Sequence, residues 1–260
     1  MSCRRSMSEK EFISTGIPKL DELLGGGIQK GSTMLLSGVP GSNIELITKQ
    51  LASAGDLIYV TTDETKDEIL DTMQRFSWDS SNITFEDIAH KHLQYVYEGE
   101  TKRVSIYEQR SRQKIKELIK IGSEGLPPQK QVEEDYLAII SDNLRSNSSK
   151  KIIISTLDFF LSTYRVEDVL RVLKSGKVNI AENKGALILI MTRGIYGEIV
   201  ERQLEILADS VIDLYVLQKG SSFERILSVK KIRNFAKKIG IARYDINDNG
   251  FILENIERIL

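Results

Sequence analysis

From Thr33 to about Leu217, short apolar runs alternate with amphipathic segments, the rhythm of parallel strands joined by crossover helices. Strands are expected at Thr33–Ser37, Leu57–Thr62, Ile83–Glu86, Lys151–Thr156, Ala186–Thr192 and Val211–Leu217. Their near-continuous apolar character is what strands covered on both faces show. Helices are expected at Ile44–Ala54, Lys66–Phe76, Val166–Lys174 and Glu198–Ala208. The second opens on Thr65 with Glu68 three residues on, a capping box that satisfies two orphan backbone donors. After Gln218 the period falls to two. Phe223–Arg233 and Ala242–Leu253, with the turn signal Asn249-Gly250, read as antiparallel strands.

One stretch departs from this rhythm. His90–Lys150 holds a charged helical segment around Arg112–Ile121, a breaker at Gly125–Pro128 and a helix around Val132–Leu144. It reads as an inserted helical pair or lid. The expectation is one domain over residues 1–260 with a flexible segment 1–10 and an insertion at 90–150. Its class is α/β, a three-layer fold: a mostly parallel sheet, helices on both faces and a C-terminal antiparallel ribbon.

Composition narrows the chemistry. With 41% hydrophobic and 28% charged residues, the 260-residue chain has the balance of a folded soluble protein. The longest apolar run, Ala186–Met191, is too short to span a bilayer, and no apolar stretch follows the two N-terminal arginines. A cytoplasmic location is expected, and the richness in Lys, Glu and Ile resembles that of a heat-adapted proteome. The single cysteine, Cys3, excludes a disulfide framework within the chain. His90 and His92, two apart, do not share a helix face, so they read as a solvated loop and no metal is expected. A net charge of −1 gives no global field for nucleic acid.

The strand Thr33–Ser37 runs into Gly38-Val39-Pro40-Gly41-Ser42-Asn43-Ile44-Glu45 and then a helix. That is the setting of a GxxxxGK[ST] phosphate loop, whose amides surround phosphates, whose lysine neutralises charge and whose hydroxyl ligates magnesium. Gly38 and Gly41 are in place. Asn43 replaces the second glycine, Ile44 the lysine and Glu45 the hydroxyl residue. Losing the lysine removes a contact of roughly 1.5–3 kcal/mol, and the glutamate adds repulsion of about a further kcal/mol or more. Nucleotide affinity should fall by at least about 100-fold. No cofactor is therefore expected, with weak ATP–magnesium binding as the alternative.

The segment Ser14-Thr15-Gly16-Ile17-Pro18-Lys19-Leu20-Asp21-Glu22-Leu23-Leu24-Gly25-Gly26-Gly27-Ile28, followed by Lys30-Gly31-Ser32, closely resembles what precedes the phosphate loop in KaiC-like ATPases of the RecA/RadA superfamily. Tyr59–Thr65, Phe76–Asp79, Leu207–Ile212 and Lys231-Ile232-Arg233 resemble further segments of that family. The resemblance implies that Asp63 and Glu64 stand where paired acidic residues supply a general base, with Asp replacing the first Glu. It puts Ser155 where a magnesium-associated aspartate ends a strand. A shifted alignment offers Asp158. Thr192 takes the polar sensor position, with Arg193 beside it read as a solvated loop residue. Lys231 and Arg233 take the place of a finger that reaches a neighbouring subunit's ATP. The strip Lys230, Lys231, Arg233, Lys237, Lys238 and Arg243 could otherwise meet nucleic acid, or simply keep an edge ribbon soluble. Near a helix start, Asp63 and Glu64 also suit the helix dipole without any catalytic role.

The leading expectation is a protein that has lost ATP hydrolysis and acts as a protein-interaction or regulatory subunit, in a homo- or hetero-oligomer with a paralogous subunit. The alternatives are a weak, non-consensus ATP-binding protein or ATPase, and a DNA-associated recombinase paralogue.

Overall fold

A computed structural model of the chain describes residues 12–97, 134–233, 240–248 and 250–254. Nine described strands form one sheet, in the order β11-β10-β9-β8-β3-β7-β6-β4-β5. Six of them run parallel: β8 (Ser210–Lys219), β3 (Ser32–Gly38), β7 (Ala186–Thr192), β6 (Lys151–Ser155), β4 (Leu57–Thr61) and β5 (Ile83–Asp87). The antiparallel ribbon β9 (Ser222–Ile232), β10 (Ile241–Asn247) and β11 (Gly250–Leu253) extends it from β8. A small separate pair, β1 (Phe12–Ile13) and β2 (Ile28–Gln29), brackets helix α1 (Pro18–Leu24).

Alternation along each strand splits the core into two layers, because successive side chains point to opposite faces. Met34, Leu36, Tyr59, Ile153, Ile188 and Ile212 pack with Leu20 of α1, Ile47 and Leu51 of α2 (Ile44–Ala52), and Ile69 and Met73 of α3 (Lys66–Arg75). Leu35, Val60, Ile152, Ile154 and Leu189 turn the other way. They meet α5 (Tyr136–Ser146), α6 (Leu157–Thr163), α7 (Val166–Asn183) and α8 (Glu198–Leu207). Another helix, α4, covers residues 88–97.

Local chemistry sets the helix ends. Pro18 opens α1, and Gly25 closes it in the left-handed conformation at φ 82°. The Thr65–Glu68 capping box forms as expected. Asp135 caps α5 by accepting from Leu137 and Ala138, and Thr156 caps α6 by accepting from Asp158.

Of the stretch 90–150, α5 supplies Tyr136, Ile140 and Leu144 to the core beneath the sheet. Its charged segment 112–121 and breaker 125–128 lie outside the described residues, as do Cys3, Lys237 and Lys238. One expectation needs correction, because the histidines do not form a solvated loop: both lie on α4. The His92 ring meets Tyr136 and Phe159 edge-on, at centroid distances of 5.8 and 5.2 Å. Helix α7 runs nine residues past its expected end at Lys174, and α1 and α6 were not anticipated.

Candidate functional site

Gly38, Thr61, Ser155 and Thr192 end four adjacent parallel strands, with Gly38 opposite Thr192 and Thr61 opposite Ser155. Open α/β sheets bind ligands outside this carboxyl edge. The loop from Gly38 to Asn43 joins β3 to α2 there. Gly38 is closely approached: a Cβ would collide with Ser42 Oγ and lie 3.2 Å from both Cβ and Cδ1 of Ile44. The Ile44 side chain thus rests against the start of the loop. Asn43 adopts φ 56°, ψ 40°, the left-handed form that glycine takes most cheaply and asparagine tolerates. Its side chain does not cap α2. Glu45 is exposed on that first turn.

Neighbours fasten the loop. Arg193 N donates to Gly38 O (2.8 Å), Val39 N to Leu214 O (3.1 Å) and the Tyr244 hydroxyl to Ser42 O (2.7 Å). Asp213, fully buried on β8, accepts from Ser37, from Arg193 Nη1, from the Tyr215 hydroxyl (2.7 Å) and from Lys230 (3.1 Å). Burial works to raise the Asp213 pKa, but these donors and cations outweigh it and hold the carboxyl below its ordinary range. Arg193 is therefore a buried-network residue, and its expected place in a solvated loop is corrected.

At the end of β4 the two acidic residues part ways. Glu64 is held by Lys49 of α2, whose Nζ lies 2.7 Å from each carboxylate oxygen. Asp63 stays exposed and accepts from Thr62 (2.8 Å). Crowding by protein atoms raises its pKa, the Thr62 bond opposes this, and the charge of Asp158 raises it further. Ser155 is the last residue of β6, one residue short of the expected strand end at Thr156. Asp158 lies in the first turn of α6 and accepts from Thr192 N at 3.0 and 3.2 Å. Burial raises its pKa too. Tyr196, pushed up to about 12 by burial and then by Asp158 and Asp63, donates to Asp158 O (2.8 Å). Asp63, Asp158, Thr192 and Tyr196 thus converge beside the loop, while Glu64 is drawn away toward α2. Among the described residues no group of three or more His, Cys, Asp and Glu could hold a metal ion.

A family model described as "ATPase: KaiC" matches residues 13–257. The chain belongs to the KaiC ATPase family. It is 23% identical to a UPF0273 protein of Pyrococcus furiosus, over 93% of each chain. It is 24% identical to the circadian clock oscillator protein KaiC of Rippkaea orientalis, covering 97% of this chain but 45% of that one. The crystal structure of a KaiC-like protein from Pyrococcus horikoshii superposes with a TM-score of 0.65 at 18% identity, over 94% of this chain and 99% of that one. That likeness shows the RecA-type fold. No helix among the described residues is long and apolar enough to cross a membrane.

In this KaiC-family chain several cations of the ribbon make contacts within the chain. A β-bulge between Val211 and Ile212 re-aims Lys230 and Lys231. Lys231 Nζ donates to the carbonyls of Glu205 (2.9 Å), Ile206 (3.4 Å) and Ala208 (2.6 Å), closing the C-terminus of α8. Lys230 pairs with Glu205 and Asp213, Arg233 with Asp209 (3.1 Å), and Arg243 lies 3.8 Å from Glu224. The sequence reading missed Lys49, Asp213, Tyr215 and Tyr244. Nothing in the spacing announces contacts 15, 176 or 202 residues apart.

Proposed function

We propose that this chain is a KaiC-family protein without ATP hydrolysis, acting in the cytoplasm as a protein-interaction or regulatory subunit alongside an identical or paralogous chain. One observation carries the reading. Where a triphosphate needs a lysine, the Ile44 side chain packs against Gly38. The donor set around it does not suit magnesium–ATP either. Glu45 supplies a carboxylate in place of a hydroxyl, and Ser155 cannot replace a carboxylate on a hydrated divalent ion. No hydrolytic step is derived. The reading is tested by measuring steady-state ATP turnover of the purified protein, alone and mixed with an active paralogue, with size-exclusion chromatography of the mixture. No intrinsic turnover, with co-elution or altered turnover of the paralogue, is expected. Intrinsic turnover, or neither association nor altered turnover, overturns it.

A second reading, weak ATP binding through loop amides, is favoured by the left-handed Asn43 and the uncapped start of α2. DNA binding finds less support, because the described cations of the strip are each engaged within the chain.

A further inference from the structure

Lys49 is among the most buried charged residues described, 2% exposed within α2. A lysine there is tolerated only with a partner, since an unpaired buried ammonium costs several kcal/mol. Its partner is Glu64, with both oxygens at 2.7 Å. Glu64 is fixed from a second side, because the Thr61 hydroxyl donates to its backbone carbonyl. The neighbouring Asp63 faces the opposite circumstances. Among the described residues it forms no ion pair, it feels Asp158, and crowding by protein atoms disfavours its charge.

We infer that Glu64 is the structural counter-ion of Lys49, and that this pair is an internal lock keeping the carboxylate off any water in the cleft. The inference deepens the reading that ATP is not hydrolysed and adds a block independent of the loop substitutions. A base poised to activate water needs a free, correctly aimed lone pair. Here both oxygens face one ammonium, and moving the glutamate away would strand a buried charge. Lys49 thus acts through Glu64, as a positioning residue that fixes the segment Thr61–Thr65 onto α2.

The two roles make opposite predictions for stability. A poised active-site carboxylate is commonly a strained group whose removal leaves stability unchanged or improves it. A counter-ion cannot be removed without penalty. The experiment is thermal unfolding of the full chain without nucleotide, comparing wild type with Glu64→Gln, Lys49→Met/Glu64→Gln and Asp63→Asn. Glu64→Gln should lower the melting temperature by about 5–10 °C. The double variant, which removes the buried charge as well, should recover most of that loss. Asp63→Asn should leave it unchanged or raise it by about 1–2 °C. Failure of Glu64→Gln to fold at all counts for the lock when the double variant folds. A Glu64→Gln melting point at or above wild type overturns it, as does a double variant no more stable than Glu64→Gln. Because no nucleotide is present, these outcomes are independent of whether the loop binds ATP.

Discussion

Lys49 and Glu64 meet head on, yet they are unequally exposed: the lysine side chain is 3% accessible and the glutamate 33%. The pair therefore has a direction. Lys49 depends on Glu64, whereas a Glu64 left without Lys49 would be free to hydrate. Lys49→Met alone should cost about 1 kcal/mol or less, well under the loss caused by Glu64→Gln. Urea titration of the two variants side by side checks the asymmetry, and equal losses would refute it.

Tyr244 of the C-terminal ribbon donates its hydroxyl to Ser42 O, tying β10 to the middle of the loop. Gln50 of α2 reinforces the same junction by accepting from Phe251 N (2.8 Å). Tyr244→Phe leaves a buried carbonyl without its donor and should cost about 1–2 kcal/mol. Hydrogen exchange should show faster exchange at Ser42–Leu46, and unchanged exchange would place the loop's anchorage elsewhere.

Lys231 closes α8 within its own chain. Lys231→Met should destabilise a dilute, monomeric sample by about 1 kcal/mol. A residue serving only a neighbouring subunit would leave monomer stability untouched and act only on assembly. Denaturation at two protein concentrations separates the cases.

Buried Lys151 donates to the carbonyls of Leu51 (2.9 Å) and Ala54 at the end of α2, and burial lowers its pKa to about 8. The sign follows from linkage. Between pH 8 and the unfolded value of 10.5 the unfolded chain binds the extra proton, so stability from this group rises with pH and is lost as pH falls through 8. Across pH 8 to 9.5 the wild type should gain on the order of 1–2 kcal/mol relative to Lys151→Met. Parallel pH profiles for the two proteins would contradict this.

The six parallel strands and most of the helices could be read from periodicity because burial on both faces writes long apolar runs. The loop was legible for a different reason: Gly38 and Gly41 sit between a strand and a helix, and Asn43 takes the φ/ψ that a glycine would. Helices α1 and α6 are only seven residues long, too short for a 3.6-residue period to stand out. Arg193 was misjudged because its partner, Asp213, lies 20 residues away on β8 and sequence carries no sign of that encounter. Lys49 was hidden for the same reason. A lysine in an amphipathic helix ordinarily faces solvent, and only the return of β4 beside α2 brings Glu64 to it.

The account is tested most directly by calorimetry of ATP with magnesium against wild type and the Ile44→Lys/Glu45→Thr double variant. Wild type should show no saturable binding in the micromolar range, and the double variant should bind at least about 100-fold more tightly. Micromolar binding by wild type that the double substitution leaves unchanged would contradict it.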